Sequence, residues 1–287
     1  MALLLQSLWT KTAFKAILIP SDFEKQTAED TMNPNLKSYL AKKDYHKITQ
    51  DCILWIRQWF AENGPSSPAV IGISGGKDSS TVAALCVKAL GKDRVFGILM
   101  PDGVQKDIDV SHRVVEYLGI QNAVIDIHST VEAVKHSVAE GLKDAAFNTQ
   151  SLTNIPPRVR MTTLYAVSQT MNGRVSNNCN RSENFVGYST IFGDATGDFS
   201  PLANLTVAEI KEIGKVLGLP REFVEKTPAD GLSDRTDEDA FGFTYEELDT
   251  YILTGICDDP ATREKIEKRH AANLFKLRPM PEFQPEA

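Results

Sequence analysis

Residues 69–85, AVIGISGGKDSSTVAAL, place Gly75, Gly76, Lys77, Asp78 and three serines between an apolar run and a helix-forming run. Three chemistries use loops of this kind. As G-x-S-x-G, the letters GISGG match a nucleophile elbow with Ser74 as the attacking hydroxyl, and His270 would nominally complete a Ser, Asp, His order. That elbow normally follows several strands, whereas a helical segment precedes Ser74 here, and no HGGG-like oxyanion segment occurs upstream. As a Walker A loop the segment fails at both ends, because Ile71 stands where the first glycine is needed and Asp78 follows Lys77. What remains is S-G-G-x-D-S. Its glycines let the backbone approach a phosphate, and successive N–H groups at a helix start point toward it. Ser74, Ser79 and Ser80 can add hydroxyl donors. Asp78 would be repelled by bare phosphates, so its place inside the cradle calls for a magnesium ion between them. A capped helix start explains the Asp and Ser alone, but it does not require the glycines and the further serines.

The flanking elements suit a cradle at a strand end. AVIGI, RVFGILM and AVIDI are short β-rich runs separated by the helix-like DSSTVAALCVKAL and IDVSHRVVEYLG. Such alternation predicts an α/β fold, a doubly wound parallel sheet flanked by helices. Apolar residues at Ile48, Cys52, Trp55, Ile56, Trp59 and Phe60 predict one amphipathic helix over residues 35–63. STVEAVKHSVAEGL reads as a helix, NTQSLTNIPPRVR as a loop broken by its paired prolines, residues 162–171 as a further helix and GRVSNN as a strand. A long polar stretch follows over residues 177–201. Residues 1–31 read as an N-terminal appendage or leader, disordered in one reading and a packed helix in the other, and residues 32–287 as a single domain.

Composition narrows the partners. The chain has 287 residues, 31 Lys and Arg against 38 Asp and Glu, and a net charge of −7, so no global basic field favours nucleic acid. No run approaches the roughly 18 apolar residues of a spanning helix, so no membrane partner is expected. Cys52, Cys86, Cys179 and Cys257 are scattered, with no C-x-x-C pair, which points to neither a disulfide framework nor a zinc site and makes the cytoplasm the expected compartment.

The cradle resembles the pyrophosphate-binding loop of the N-type ATP pyrophosphatases, which include GMP synthetases, asparagine synthetases, tRNA-modifying thiolases and NAD synthetases. Four further blocks, MPDGVQKDID, NIPPRVRM, NRSENFVGYSTIFGDATGDFSPLANLT and KTPADGLSDRTDEDAFGFTYEELD, resemble in order those of ammonia-dependent NAD synthetases, over residues 35–283. The resemblance implies an adenine nucleotide alpha-hydrolase-like fold. It also implies amidation of deamido-NAD to NAD through an acyl adenylate, with ATP and ammonia consumed and AMP and pyrophosphate released.

Carried over by position, Gly72, Ile73, Ser74, Gly75, Gly76, Lys77, Asp78, Ser79 and Ser80 would hold ATP, with Gln105 and Asn178 facing the nucleotide. Asp78 and Glu183 would bind magnesium and, with Asp198, form the catalytic set. Arg158, Asp198, Phe275 and Lys276 would meet deamido-NAD, the last two from a tail that resembles the family's closing segment. A homodimer is implied, with Arg158 serving a shared site and residues 35–63 offering apolar surface.

Departures are several. Asn178 replaces a threonine, Ile191 and Val207 stand where many members have lysines, Ala229 replaces a hydroxyl residue and Phe275 a histidine. With Val207 leaving the phosphates short of a charge, Lys77 is the expected replacement, as a flexible ammonium reaching the β- or γ-phosphate, with Lys211 less well placed. Two other readings stay open: another adenylating amidotransferase or thiolase, and a nucleotide-binding module without turnover. The acidic chain and the lack of C-x-x-C speak against a tRNA thiolase, and retention of both Asp78 and Glu183 speaks against the module.

Overall fold

The computed structural model describes residues 32–105, 108–143, 146–225 and 236–285. The appendage expected over residues 1–31, and Ala229, lie outside the described residues. Four parallel strands form the sheet: β1 (Ala69–Gly72), β2 (Val95–Leu99), β3 (Gln121–Val124) and β4 (Arg174–Val175), in the order β3-β2-β1-β4. Successive strand residues alternate between two apolar layers, as a period of two requires. Ala69, Ile71, Val95 and Leu99 face one layer, and Val70, Ile98 and Val175 the other.

The first layer is built on α1 (Pro34–Leu40), α2 (Tyr45–Asn63), α3 (Lys77–Leu90), α4 (Ile108–Leu118), α8 (Val207–Val216) and α9 (Arg221–Val224). The second is built on α5 (His128–Leu142) and α6 (Thr149–Thr170), through Val131, Val159, Met161 and Leu164. A third cluster joins α7 (Arg181–Val186), α10 (Asp237–Phe241), α11 (Tyr245–Thr254) and α12 (Pro260–Asn273), and contains Val186, Val207, Phe241, Tyr245, Leu248 and Ile266. The doubly wound parallel sheet expected from the alternation is therefore present.

Three local expectations change. The helix expected over residues 35–63 is two helices, because Asp44 caps a new start by accepting the Lys47 N–H at 2.9 Å. The loop expected at the paired prolines is helix: α6 runs through Pro156 and Pro157. Each proline removes an N–H from the ladder, but Asn148 caps the start, and Pro156, Val159, Met161 and Leu164 are all buried, so packing outweighs local preference. The candidate strand GRVSNN shortens to Arg174–Val175, extended by a bridge between Ser176 and Phe199. The polar stretch after it contains α7.

Candidate active site

β2 and β3 lie on one side of β1 and β4 on the other, so the strand order reverses between β1 and β4, the kind of crevice where open parallel sheets bind ligands. The loop after β1 is the glycine-rich cradle. Gly75 has φ +75°, and a Cβ there would stand 2.9 Å from the Ser111 backbone N and 3.0 Å from Val110 Cβ. Only glycine fits both the left-handed backbone and that approach. Gly76 is the N-cap of α3 and brings no side-chain cap, so the first N–H groups of the helix face the loop. Ser74 Oγ lies 3.2 Å from Ser79 Oγ and accepts the Gly76 N–H at 3.3 Å. Ser80 is turned inward, fully buried, and donates to the Gly76 carbonyl at 2.8 Å; its hydroxyl serves the helix start and not the open side of the loop.

The loop after β4 closes against this cradle. Asn178 donates to the Gly72 carbonyl at 3.1 Å and accepts from Ser176 Oγ at 2.8 Å, so its amide straps the ends of β4 and β1 together. Asn180 caps α7 by accepting the Glu183 N–H at 2.9 Å, while the Glu183 carboxylate accepts the Asn180 N–H at 3.3 Å. The free arm of the Asn180 amide donates to Asp78 Oδ1 at 3.2 Å. One capping box thus carries Glu183 to Asp78 across 105 residues of sequence. Burial first, and then the Asp78 carboxylate, push the Glu183 carboxyl up to about 8, with Lys77 opposing. Among the described residues no group of three or more His, Cys, Asp or Glu side chains is placed to hold a metal ion by itself. Two converging carboxylates beside a phosphate-ready loop suit magnesium, which takes one or two protein oxygens and fills its other positions with phosphate and water.

Lys77 departs from expectation. Its side chain is 3 % exposed, its ammonium lies 2.9 Å from Asp78 Oδ2, and it sits 5.4 Å from the centre of the Tyr245 ring. It is held under the cradle and does not extend over it. Val207 is buried in the third apolar cluster, where its N–H donates to Ser182 Oγ at 3.0 Å. Lys211 is half-buried on α8.

Gln105 lies in the loop after β2. That loop is braced by the Gly103 N–H on Asp126 at 3.1 Å, by Asp102 against His128 at 2.8 Å, and by Arg160 Nε on the Met100 carbonyl at 3.1 Å. Arg158 and Asp198 flank a groove of about 450 Å³ lined by Met161, Thr162, Tyr165, Ala166, Gln169, Phe192 and Thr196. Arg158 is exposed on α6 one turn before Thr162 and donates to the Ile191 carbonyl at 3.2 Å. Asp198 accepts the Val175 N–H at 2.7 Å and the Tyr165 hydroxyl at 3.1 Å. Two neighbourhoods therefore emerge: the cradle with Asp78 and Glu183, and the groove with Arg158 and Asp198.

The tail docks on the C-terminal end of α7. The His270 ring stacks on Phe185 at 4.0 Å and its Nδ1 meets the Phe185 carbonyl at 2.8 Å, Asn273 donates to the Val186 carbonyl at 3.3 Å, and Lys276 donates to the carbonyls of Gly187 and Ser189 at 2.7 and 3.0 Å. Lys276, expected at a substrate, is thus spent on backbone carbonyls here, and Phe275 is 62 % exposed.

Sequence reasoning missed Asn180, Ser182, Tyr245 and Asp249. Asn180 was legible in principle, because N-x-x-E is a capping-box pattern. Asp249 carried no signal. It is 1 % exposed inside α11, where it accepts Ser182 Oγ–H and the Ala208 N–H, joining α11 to the starts of α7 and α8.

The sequence pattern of the NAD synthase family matches residues 48–284. The chain is 39% identical over 208 residues to the NH(3)-dependent NAD(+) synthetase of Pyrococcus furiosus, covering 72% of this chain and 79% of that protein. It is 36% identical over 228 residues to that of Finegoldia magna, covering 79% and 91%. Among solved structures, NMN synthetase from Francisella tularensis superposes with TM-score 0.75 at 31% identity, covering 84% of this chain and 100% of that one. NH3-dependent NAD synthetase from Campylobacter jejuni, in complex with the nitrate ion, superposes with TM-score 0.68 at 32% identity, covering 85% and 100%.

Proposed function

The chain belongs to the NAD synthase family, and on that premise we propose how its cleft performs the ATP-dependent amidation of deamido-NAD to NAD. It is a ligase of the N-type ATP pyrophosphatase fold. The N–H groups of Gly75 and the first turn of α3 bind the departing pyrophosphate. The groove at Arg158 and Asp198 holds the nicotinate nucleotide, with the guanidinium on its phosphates and Asp198 at the nicotinate end. Held in this way, the nicotinate carboxylate attacks the α-phosphorus of ATP. The P–O bond to pyrophosphate breaks and an acyl adenylate forms. Ammonia then adds to the acyl carbon, loses a proton, and the C–O bond to AMP breaks. No side-chain nucleophile is needed; the protein contributes positioning and charge neutralisation. Asp78 and Glu183 would hold magnesium, which supplies positive charge between the phosphates.

The observation that carries this reading is the Asp78–Asn180–Glu183 constellation at the sheet's switch point, opposite an uncapped glycine-rich helix start. Protein mixed with ATP, magnesium, ammonium and deamido-NAD should yield NAD, AMP and pyrophosphate in equal amounts. Asp78→Asn and Glu183→Gln should each lower pyrophosphate release at least about a hundredfold, the loss of roughly 2.7 kcal/mol of transition-state stabilisation, with circular dichroism unchanged. Equal turnover in both variants would remove the metal assignment. Because a superposed relative is an NMN synthetase, nicotinate mononucleotide is the second acceptor to run beside deamido-NAD.

The homodimer belongs to the same proposal, on a different surface from the one expected. α2 buries Ile53, Ile56 and Phe60 in the core, leaving Leu54 and Trp55 outside. More apolar side chains are exposed along α5, at Val134, Val138 and Leu142, and α6, the helix that lines the groove, exposes Leu152. Cytoplasmic placement is supported by four cysteines that are all free thiols. No helix among the described residues is long and apolar enough to cross a membrane. Residues 32–287 are proposed to act as one domain.

A further inference from the structure

A lysine buried under a metal-binding loop has two possible charges to serve: the phosphates above it or the carboxylates around it. Geometry separates them. Lys77 Nζ lies 2.9 Å from Asp78 Oδ2, its side chain is 3 % exposed, and the face of the Tyr245 ring closes the other side at 5.4 Å. Tyr245 is itself fixed by donating its hydroxyl to Asp237 Oδ2 at 3.0 Å. Asp78, Glu183, Asp237 and Asp249 are the acidic groups that interact with the ammonium, so one cation serves a buried acidic cluster. Reaching a phosphate would require Lys77 to leave both the Asp78 pair and the Tyr245 face.

Charge has a direct consequence for metal binding. Asp78 is 18 % exposed and one of its oxygens is already taken by Lys77, the other by Asn180. A free divalent cation approaching Asp78 and Glu183 meets the positive charge of Lys77 at close range in a largely buried site, where such repulsion is weakly screened by solvent and salt. A cation arriving with ATP brings the phosphate charge that outweighs this repulsion.

We propose that Lys77 is a built-in counter-cation that keeps the Asp78 and Glu183 carboxylates assembled while preventing them from capturing a free divalent cation, so that metal loads only together with the nucleotide. It is a positioning residue. This deepens, and rests on, the assignment of Asp78 and Glu183 as metal ligands.

The test is binding of Mn²⁺, standing in for Mg²⁺, to the full chain without nucleotide, followed by loss of the free-ion electron paramagnetic resonance signal. The parent should show only weak, unsaturated binding. Lys77→Met should acquire one site at least about tenfold tighter, Lys77→Arg should remain like the parent, and adding Glu183→Gln to Lys77→Met should abolish the gain. If Lys77→Met does not fold, the parent alone decides: a saturable, Glu183-dependent Mn²⁺ site in the nucleotide-free parent overturns the proposal, and its absence supports it. No gain in Lys77→Met, while pyrophosphate release by the parent still requires Glu183, overturns the role of Lys77 and leaves the ligand assignment standing. A gain that survives Glu183→Gln overturns both.

Discussion

Asp249 is a buried carboxylate whose ionisation can be isolated by one isosteric change, Asp249→Asn. Burial pushes its carboxyl up from an ordinary value of 3.8 to about 7, against the opposing hydrogen bonds from Ser182 and the Ala208 N–H. The folded state therefore holds this proton more tightly than the unfolded chain, so the associated stability is greatest below about pH 4 and falls as pH rises toward 7. A gap of about three pH units at ~1.4 kcal/mol each makes the full loss about 4 kcal/mol, of which more than half falls between pH 5 and 8. In Asp249→Asn nothing titrates at this position, and the amide can still accept from Ala208 N–H. Urea unfolding followed by the fluorescence of Trp55 and Trp59 on α2, at pH 5 and pH 8 for both chains, gives the double difference directly. The variant should gain about 2 to 3 kcal/mol on the parent over that interval. A difference between the chains that stays constant within about 0.5 kcal/mol across the two pH values would refute the reasoning, because every other titrating group is common to both.

Gly75→Ala should cost at least about 2 kcal/mol, the left-handed backbone penalty plus a Cβ forced against the Ser111 N–H, and should weaken ATP binding as the loop shifts; an unchanged melting temperature together with an unchanged KM for ATP would show that the loop yields freely. Val138→Glu places a charge in the middle of the exposed apolar stripe on α5 and should convert a dimer to a folded monomer in sedimentation. A parent that sediments as an active monomer, or a variant that stays dimeric, would remove that face as the interface.

Local sequence determined what depends on neighbouring residues. The short β-rich apolar runs AVIG and VFGIL became β1 and β2, and S-G-G-x-D-S at a strand end became a loop feeding a helix whose first N–H groups stay open, because β-branched bulk, backbone freedom at glycine and the orphan donors of a helix start are local properties. The four later blocks carried the family and, with it, Glu183, Arg158 and Asp198 as residues of interest. Two local rules misled. Pro156 and Pro157 stand inside a helix, and α1 stops at Leu40 before Asp44 starts another helix within an apolar pattern that reads as continuous.

Tertiary structure decided where each side chain's charge went. Nothing in the order of residues distinguishes a lysine above the cradle from one below it; Lys77 is below because Tyr245, 168 residues later, supplies a ring face beside Asp78. Nor does the spacing of Asn180 and Glu183 say that their capping box abuts Asp78, which follows from β4 pairing next to β1 and the Asn178 amide strapping their ends. Asp249 shows the same division: as a letter it is an ordinary helix acid, and only the packing of α11 against the starts of α7 and α8 removes its water and gives it two fixed donors. Desolvation and charge pairing act through space over a few ångströms, and the chain brings those ångströms together only when it folds.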